Sequence, residues 1–221
     1  MKTDIKTEHL ELEAAAAMYR FLARAFLEEP TTAVLTQLQS GEQGQLLKAM
    51  GYDFLDGLDG YAPAEQEEML AVEYCRLFIG PGQHISPHEG RILGEDQHWG
   101  ERTASVYAAY REAGFDLERN VHEMPDHVGV QFSFVAQLIE SEMDCRRQGR
   151  QNDAVRFRKQ KHGFLKDHLA RWIPSLAQEV AERSELGFYK NLAFLTRDWM
   201  DSEMAEAIND AGCVRMGMRS R

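Results

Sequence analysis

Residues 10–30, LELEAAAAMYRFLARAFLEEP, decide the fold. Leu10, Ala14, Ala17, Met18, Phe21, Leu22, Ala25 and Phe26 recur at three- and four-residue steps. That spacing draws one apolar stripe down a helix, which has to stop near Pro30. Outward from this segment the same period returns. Thr31 or Thr32 can cap a second helix through Leu35 and Leu38, with Gly41 and Gly44 as punctuation, and Leu46 to Leu58 predicts a short, weak helical stretch. Pro63 ahead of Glu65, Glu67 and Glu68 suits a helix N-terminus, where proline loses no hydrogen bond and the helix dipole favours anions. That helix carries Met69, Val72, Leu77, Phe78 and Ile79 and ends at Gly80-Pro81-Gly82.

The second half repeats the pattern. Arg102 to Ala113 predicts a helix stopped by Gly114, and Pro125-Asp126 opens the next, with Asp126 as N-cap and Val128, Phe132, Val135, Leu138 and Ile139 on its buried face. Gly149 ends it. Asn152 or Asp153 can cap a helix carrying Val155, Phe157, Phe164, Leu165, Leu169 and Trp172, which has to end or kink before Pro174. Leu176 and Val180, then Phe188, Leu192, Leu195 and Trp199, mark the last stripes. No segment alternates with period two between turn signals, so the fold class is all-α, a multi-helix globular domain with essentially no sheet.

Residues 80 to 100 break the pattern, with Gly80, Pro81, Gly82, Pro87, Gly90, Gly94 and Gly100 in one stretch. A long connection inside a compact domain tends to carry function. The expected organisation is a single domain over 1–221, with an N-terminal lobe about 1–82, a hinge loop 83–100 and a C-terminal lobe 101–221. Such a hinge could open and pair with a second chain, so the expected state is a monomer or a domain-swapped dimer.

Composition narrows the function. An apolar fraction of 43% suffices for a core, and no apolar run is long enough to span a bilayer. Met1 to Glu13 holds Asp4, Glu8, Glu11 and Glu13 where a secretory leader would be basic and then apolar, so the chain is expected to stay in the cytoplasm. Cys75, Cys145 and Cys213 form no C-x-x-C pair and read as reduced thiols. With 25 basic against 36 acidic residues and a net charge of −11, the surface repels nucleic acid; the charge would attract a basic ligand, or it merely keeps the protein soluble. Phosphate-cradling glycine loops, the G-x-S-x-G elbow and H-E-x-x-H are all missing, which argues against an enzyme.

Three constellations carry candidate chemistry. His84, His88, Glu89 and His98 are metal ligands by residue type, although Pro87 keeps His84 and His88 from sharing a helix face, and loop histidines bonded to the backbone are the plainer alternative. Glu73 to Gly82 places Tyr74, Leu77 and Phe78 on one helical face, either as core or as the wall of a groove for an apolar peptide. Met124-Pro125-Asp126-His127 places a carboxylate and an imidazole at a helix start. A simple N-cap explains Asp126, but a protonated His127 would sit unfavourably there. Asp126 with Glu89, Glu95 and Asp96 could form an acidic pocket for arginine, which carboxylates bind in a bidentate fashion.

These residues carry a resemblance. Glu73 to Gly82 is similar to an aromatic-x-x-Leu-Phe-x-Gly-Pro pattern that continues into Ser86-Pro87-His88-Glu89. Met124 to Gly129 reads Pro-Asp-His-Val-Gly ahead of Phe132 and Phe134. A third block holds His168-Leu169, Trp172-Ile173-Pro174, Phe188-Tyr189 and Leu192-Ala193. In order and spacing the blocks resemble the TorD family of redox-enzyme maturation chaperones, which includes the DmsD and NarJ proteins. The resemblance implies an all-helical chaperone, not an enzyme. It would bind the twin-arginine leader or body of a molybdenum-cofactor oxidoreductase of the DMSO-reductase type, and hold back export until the cofactor is inserted. The positions it implies for leader binding are Tyr74, Leu77, Phe78, Gly94, Asp126 and His127, with Ser86, Pro87, Glu89 and Glu95 as contributors from the connection. Tyr74 stands where other members have tryptophan. No cofactor or metal is implied for the chain itself. The competing readings are a metal-dependent helical hydrolase using His84, His88 and Glu89, and an assembly factor that stays in a larger complex.

Overall fold

The computed structural model describes residues 2–117 and 122–216, with side chains described for 7–117 and 122–208. Ten α-helices follow one another among the described residues: α1 (Lys2–Leu27), α2 (Thr32–Ser40), α3 (Glu42–Ala49), α4 (Pro63–Tyr74), α5 (Glu89–Ile92), α6 (Glu101–Ala113), α7 (Val128–Arg147), α8 (Gln151–Asp167), α9 (Ile173–Arg183) and α10 (Gly187–Met216). The chain is all-α, as its periodicity predicts. The one β-type contact among the described residues is an isolated antiparallel bridge between His88 and His127.

The core is organised about α7. Both its flanks are apolar, since Val128, Phe132, Val135, Leu138 and Ile139 are all fully buried, and such a helix has to be covered by neighbours. α1 packs along one side and α8 along the other, while α9 packs on α10. The α1 stripe ends in an aromatic cluster, with the Tyr19 and Phe26 rings 5.9 and 6.2 Å from that of Phe132. Ion pairs fasten the same three helices at their far ends. Glu142 accepts from Arg146 and Arg158, and both guanidiniums also reach Glu8 on α1. The buried Lys161 and Tyr19 both donate to Glu203 of α10 at 3.1 Å.

Several boundaries differ from the sequence reading. The weak helix expected over 46–58 stops at Ala49, because Gly51 takes a left-handed conformation (φ 98°) and Tyr52 N–H turns back to the Leu47 carbonyl. Phe54 and Leu58 are buried from turns instead. Gly44 does not break the chain but lies within α3. α4 does not run evenly to Ile79: Cys75–Ile79 widens into one π-helical turn, closed by Gly80 N–H on the Cys75 carbonyl. α8 starts at Gln151, ahead of both proposed caps, with Arg150 at its N-cap position. Cys75 and Cys145 are free thiols, while Cys213 lies outside the described side chains.

The long connection holds only the single turn of α5, and it is tied down. Ile85 is fully buried, with its N–H on the Leu77 carbonyl at 2.7 Å. Arg183 donates to the Gln83 carbonyl. Val128 N–H donates to the Pro87 carbonyl at 2.8 Å.

Where α1 crosses the start of α7 the backbones nearly touch. A Cβ added to Gly129 would lie 2.5 Å from Leu27 Cγ and 2.8 Å from the Ala23 carbonyl oxygen. Gly129→Ala is therefore expected to cost about 1–3 kcal/mol through overpacking, read as a lowered midpoint in urea. An unchanged midpoint would show that α1 can move aside freely.

Candidate functional site

The start of α7 is buried, so its free N–H groups need acceptors from outside the helix. The segment 85–90 and residues 124–127 supply them together. His127, not Asp126, is the N-cap: its Nδ1 accepts from Gly129 N–H at 3.1 Å, and its carbonyl accepts from Gln131 N–H. That overturns the expectation of an Asp126 cap. It also removes the difficulty of a cation at a helix start, because burial, assisted by the neighbouring His88, lowers the His127 pKa to about 3. The imidazole is neutral, with Nδ1 unprotonated. His88 stands edge-on to it, ring centres 5.2 Å apart, and is itself lowered by burial. Ser86 Oγ lies 3.3 Å from His88 Nδ1.

Asp126 caps a different element. Its Oδ2 accepts from Gly90 N–H at 3.1 Å and its carbonyl accepts from Glu89 N–H at 3.0 Å, both at the start of α5. Its Oδ1 is buried and has no donor among the described residues, and the residue is only 2% exposed. Glu95 also approaches Gly90 on the side where a Cβ would lie. A Cβ there would lie 3.0 Å from Glu95 Oε2 and 3.3 Å from Asp126 Oδ2, so the two carboxylates flank one glycine. Glu95 also accepts from Arg102 N–H and caps α6.

Glu89 turns inward, to an arrangement that no local pattern announces. Its carboxylate lies 3.1–3.2 Å from Nδ1 of His168 and accepts from Gln131 Nε2 at 3.0 Å. Gln131 Nε2 also donates to the Asp126 carbonyl, and Gln131 Oε1, like Asp126 Oδ1, is buried without a donor among the described residues. Tyr110 closes the cluster, donating its hydroxyl to the Pro125 carbonyl at 2.7 Å; burial, with the charges of Asp126 and Glu89, pushes it well above its ordinary value. His168, Gln131 and Tyr110 were not singled out from the sequence as site residues. Tyr110 and Gln131 offer only a polar side chain on an otherwise apolar helix face, while His168 stands in the third block of the resemblance with no role attached.

Of the predicted positions, Pro87, Glu89, Glu95, Asp126 and His127 come together, with Ser86 joined through His88. Gly94 forms an exposed turn with φ 89°. Asp96 points away, 3.8 Å from Arg91. Tyr74, Leu77 and Phe78 are packed into the core: Tyr74 donates its hydroxyl to the Phe26 carbonyl at 3.0 Å, and Phe78, 7% exposed, lies among the rings of Phe26, Tyr74 and Tyr189. The metal constellation does not assemble. His84 is exposed, Glu89 is engaged by His168, and among the described residues no three His, Cys, Asp or Glu side chains are arranged to hold an ion.

Two outcomes follow from this geometry. His127 has a folded pKa far below the ordinary 6.5, so its contribution to stability is complete above that pH and is lost as pH falls toward about 3. The expected slope is at most about 1.4 kcal/mol per pH unit. His127→Asn keeps a capping acceptor that does not titrate, and its stability between pH 7 and pH 4, about the range of ordinary buffers, should fall less steeply than that of the parent. Phe78→Ala should lower stability by about 3–5 kcal/mol; a variant with an unchanged thermal midpoint would show instead that this ring lines an open groove.

Comparison with known proteins agrees with the architecture. Residues 45–178 match the family described as nitrate reductase delta subunit. Similar curated proteins include the chaperone protein TorD of Vibrio vulnificus (strain YJ016), 25% identical over 191 residues, which cover 81% of this chain and 87% of the relative. TorD of Shewanella loihica is 27% identical over 209 residues, covering 85% and 90%. TorD of a Psychrobacter species is 27% identical over 178 residues, covering 74% and 77%. With more than half of its length matched in one continuous segment, the chain belongs to the nitrate reductase delta subunit family, which groups the TorD and NarJ proteins.

Proposed function

We propose that this protein is a non-catalytic redox-enzyme maturation chaperone. In this reading it acts in the cytoplasm, binding the twin-arginine leader, the body, or both, of a molybdenum-cofactor oxidoreductase of the DMSO-reductase type until the cofactor is in place. Family membership and relatives named as chaperones support the general role. The observation that carries the leader reading is the pair of donor-less acceptors in one buried acidic cluster, Asp126 Oδ1 and Gln131 Oε1. A buried acceptor without a donor is costly, and a guanidinium brings five donors and a charge opposite to that of Asp126 and Glu95. The net charge of −11 favours approach of a basic segment.

Asp126 is covered in the structure described, so the reading requires the 83–100 connection to lift. The bonds to be exchanged are those of Asp126 to Gly90, Glu89 N–H to the Asp126 carbonyl, Val128 to Pro87, Ile85 to Leu77 and Arg183 to Gln83, together with the Glu89 carboxylate's contacts to His168 and Gln131 and that of Glu95 to Arg102 N–H. α1 packs against α7 across the two proposed lobes, which makes movement of the connection the smaller change than parting the lobes. Lifting would also uncover the Leu77 end of the aromatic stripe, where Ile85 now sits, and so give apolar leader residues a surface. A connection that opens can pair with a second chain, giving a monomer or a swapped dimer.

The test is a titration with a twin-arginine leader peptide. Asp126→Asn keeps an oxygen for Gly90 N–H and loses only the charge, so its thermal midpoint should stay close to that of the parent. Leader affinity should fall about tenfold, equivalent to about 1.4 kcal/mol. Undiminished affinity in the folded variant would remove Asp126 from the site.

A further inference from the structure

A second carboxylate with a donor-less oxygen lies away from the Asp126 cluster, at the corner of α4 and the α9–α10 turn. Glu73 is 4% exposed. Its Oε1 is fully used, accepting from Glu185 N–H at 2.5 Å, Leu186 N–H at 3.0 Å and the Arg76 guanidinium at 3.2 Å, and so caps the approach to α10. Its Oε2 is buried and has no donor among the described residues. Glu73 forms part of the wall of an open cleft of about 480 Å³. Tyr61, Met69, Val72 and Leu186 give that cleft an apolar lining, and Val72 and Tyr61 are 64% and 50% exposed.

The charge in the cleft is one-sided. Glu65, Glu68, Glu73 and Glu185 line it against Arg76 alone, four carboxylates to one guanidinium. Arg76 is already committed, donating to the Arg183 carbonyl at 2.9 Å as well as to Glu73. An anion is therefore disfavoured, and among the described residues no three acidic side chains are arranged to hold a metal ion. What fits is a cation on a flexible stem with an apolar neighbour: the neighbour covers exposed apolar surface that would otherwise face water, and the head meets the Glu73 oxygen once a side-chain adjustment uncovers it.

We propose that the cleft between α4 and the start of α10 is a docking site for a partner polypeptide segment in which an arginine or lysine stands beside an apolar residue. The cation pairs with Glu73 Oε2 and the apolar side chain packs on Val72, Met69 and Tyr61. The site is independent of the leader reading, because none of these residues takes part in the cluster around Asp126.

The experiment uses the full chain with methyl-labelled methionine and valine. The probes are a short blocked peptide with one arginine among leucines, and the same peptide with glutamine in place of the arginine. The Met69 and Val72 methyl signals should shift saturably with the arginine peptide, and the glutamine peptide should bind about tenfold more weakly. Val72→Lys changes an exposed position, so the fold should hold while the Met69 shifts disappear. Glu73→Gln should weaken binding about fivefold or more, with a thermal melt to show how far the loss of its capping role contributes. Asp126→Asn should leave these shifts unchanged, which separates this site from the leader site. The proposal is overturned if the Met69 and Val72 signals do not respond, if the glutamine peptide binds equally well, if Val72→Lys binds as the parent does, or if Asp126→Asn abolishes the effect.

Discussion

The start of α7 lies inside the protein, and its first N–H groups cannot turn to water. An unpaired donor buried in this way costs free energy comparable to a lost hydrogen bond. Much of the middle of the molecule is arranged to meet that requirement. The connection between α4 and α6 runs back across the helix start to present the Pro87 carbonyl, and His127 gives up its proton to serve as an acceptor. Asp126, freed from capping its own helix, stabilises the first turn of α5 instead. The same constraint that closes the core thus brings Glu89, Glu95, Asp126 and His127 to one place.

The cluster partners its carboxylates unequally. Glu89 meets His168 and Gln131, whereas Asp126 and Glu95 both lie beside Gly90 with no cation paired to either among the described residues. The contacts of Glu89 hold α5 in place, and Asp126 Oδ1, without a donor among the described residues, keeps an unmet preference for one. On the proposed reading, one buried polar site would serve both stability and recognition: the ligand would take over an interaction that the fold leaves unmade.

Tyr74 and Phe78 illustrate the complementary case. Their motif reads equally well as groove or as core, and the rings of Phe26 and Tyr189 together with the Phe26 carbonyl make it core. One residue earlier, Glu73 shows that the same helix also faces outward. Its carboxylate is held by backbone N–H groups more than a hundred positions downstream in sequence, and one of its oxygens is left over beside an exposed apolar patch. Adjacent residues of one helix therefore belong to two different surfaces, as helical geometry requires.

The helices were readable from the amino-acid sequence because their cause is local. A stripe at three- and four-residue spacing, a proline at the start of α4 and glycines at 114 and 149 act within a few residues of themselves, and the all-α class and the irregular 80–100 segment follow directly. The 46–58 stretch misled because Gly51 outweighed a weak apolar pattern. The site was legible only as a set of residue types. Asp126 and His127 stand side by side in a motif, yet which of them caps α7 depends on Gly90 being within reach, 36 residues upstream. The partner of Glu89 lies 79 residues away, and the donors to Glu73 lie 112 and 113 away. Only tertiary structure decided these pairings, because burial and hydrogen-bond geometry are properties of the packed chain, and no spacing along the sequence encodes which distant donors a buried carboxylate will meet.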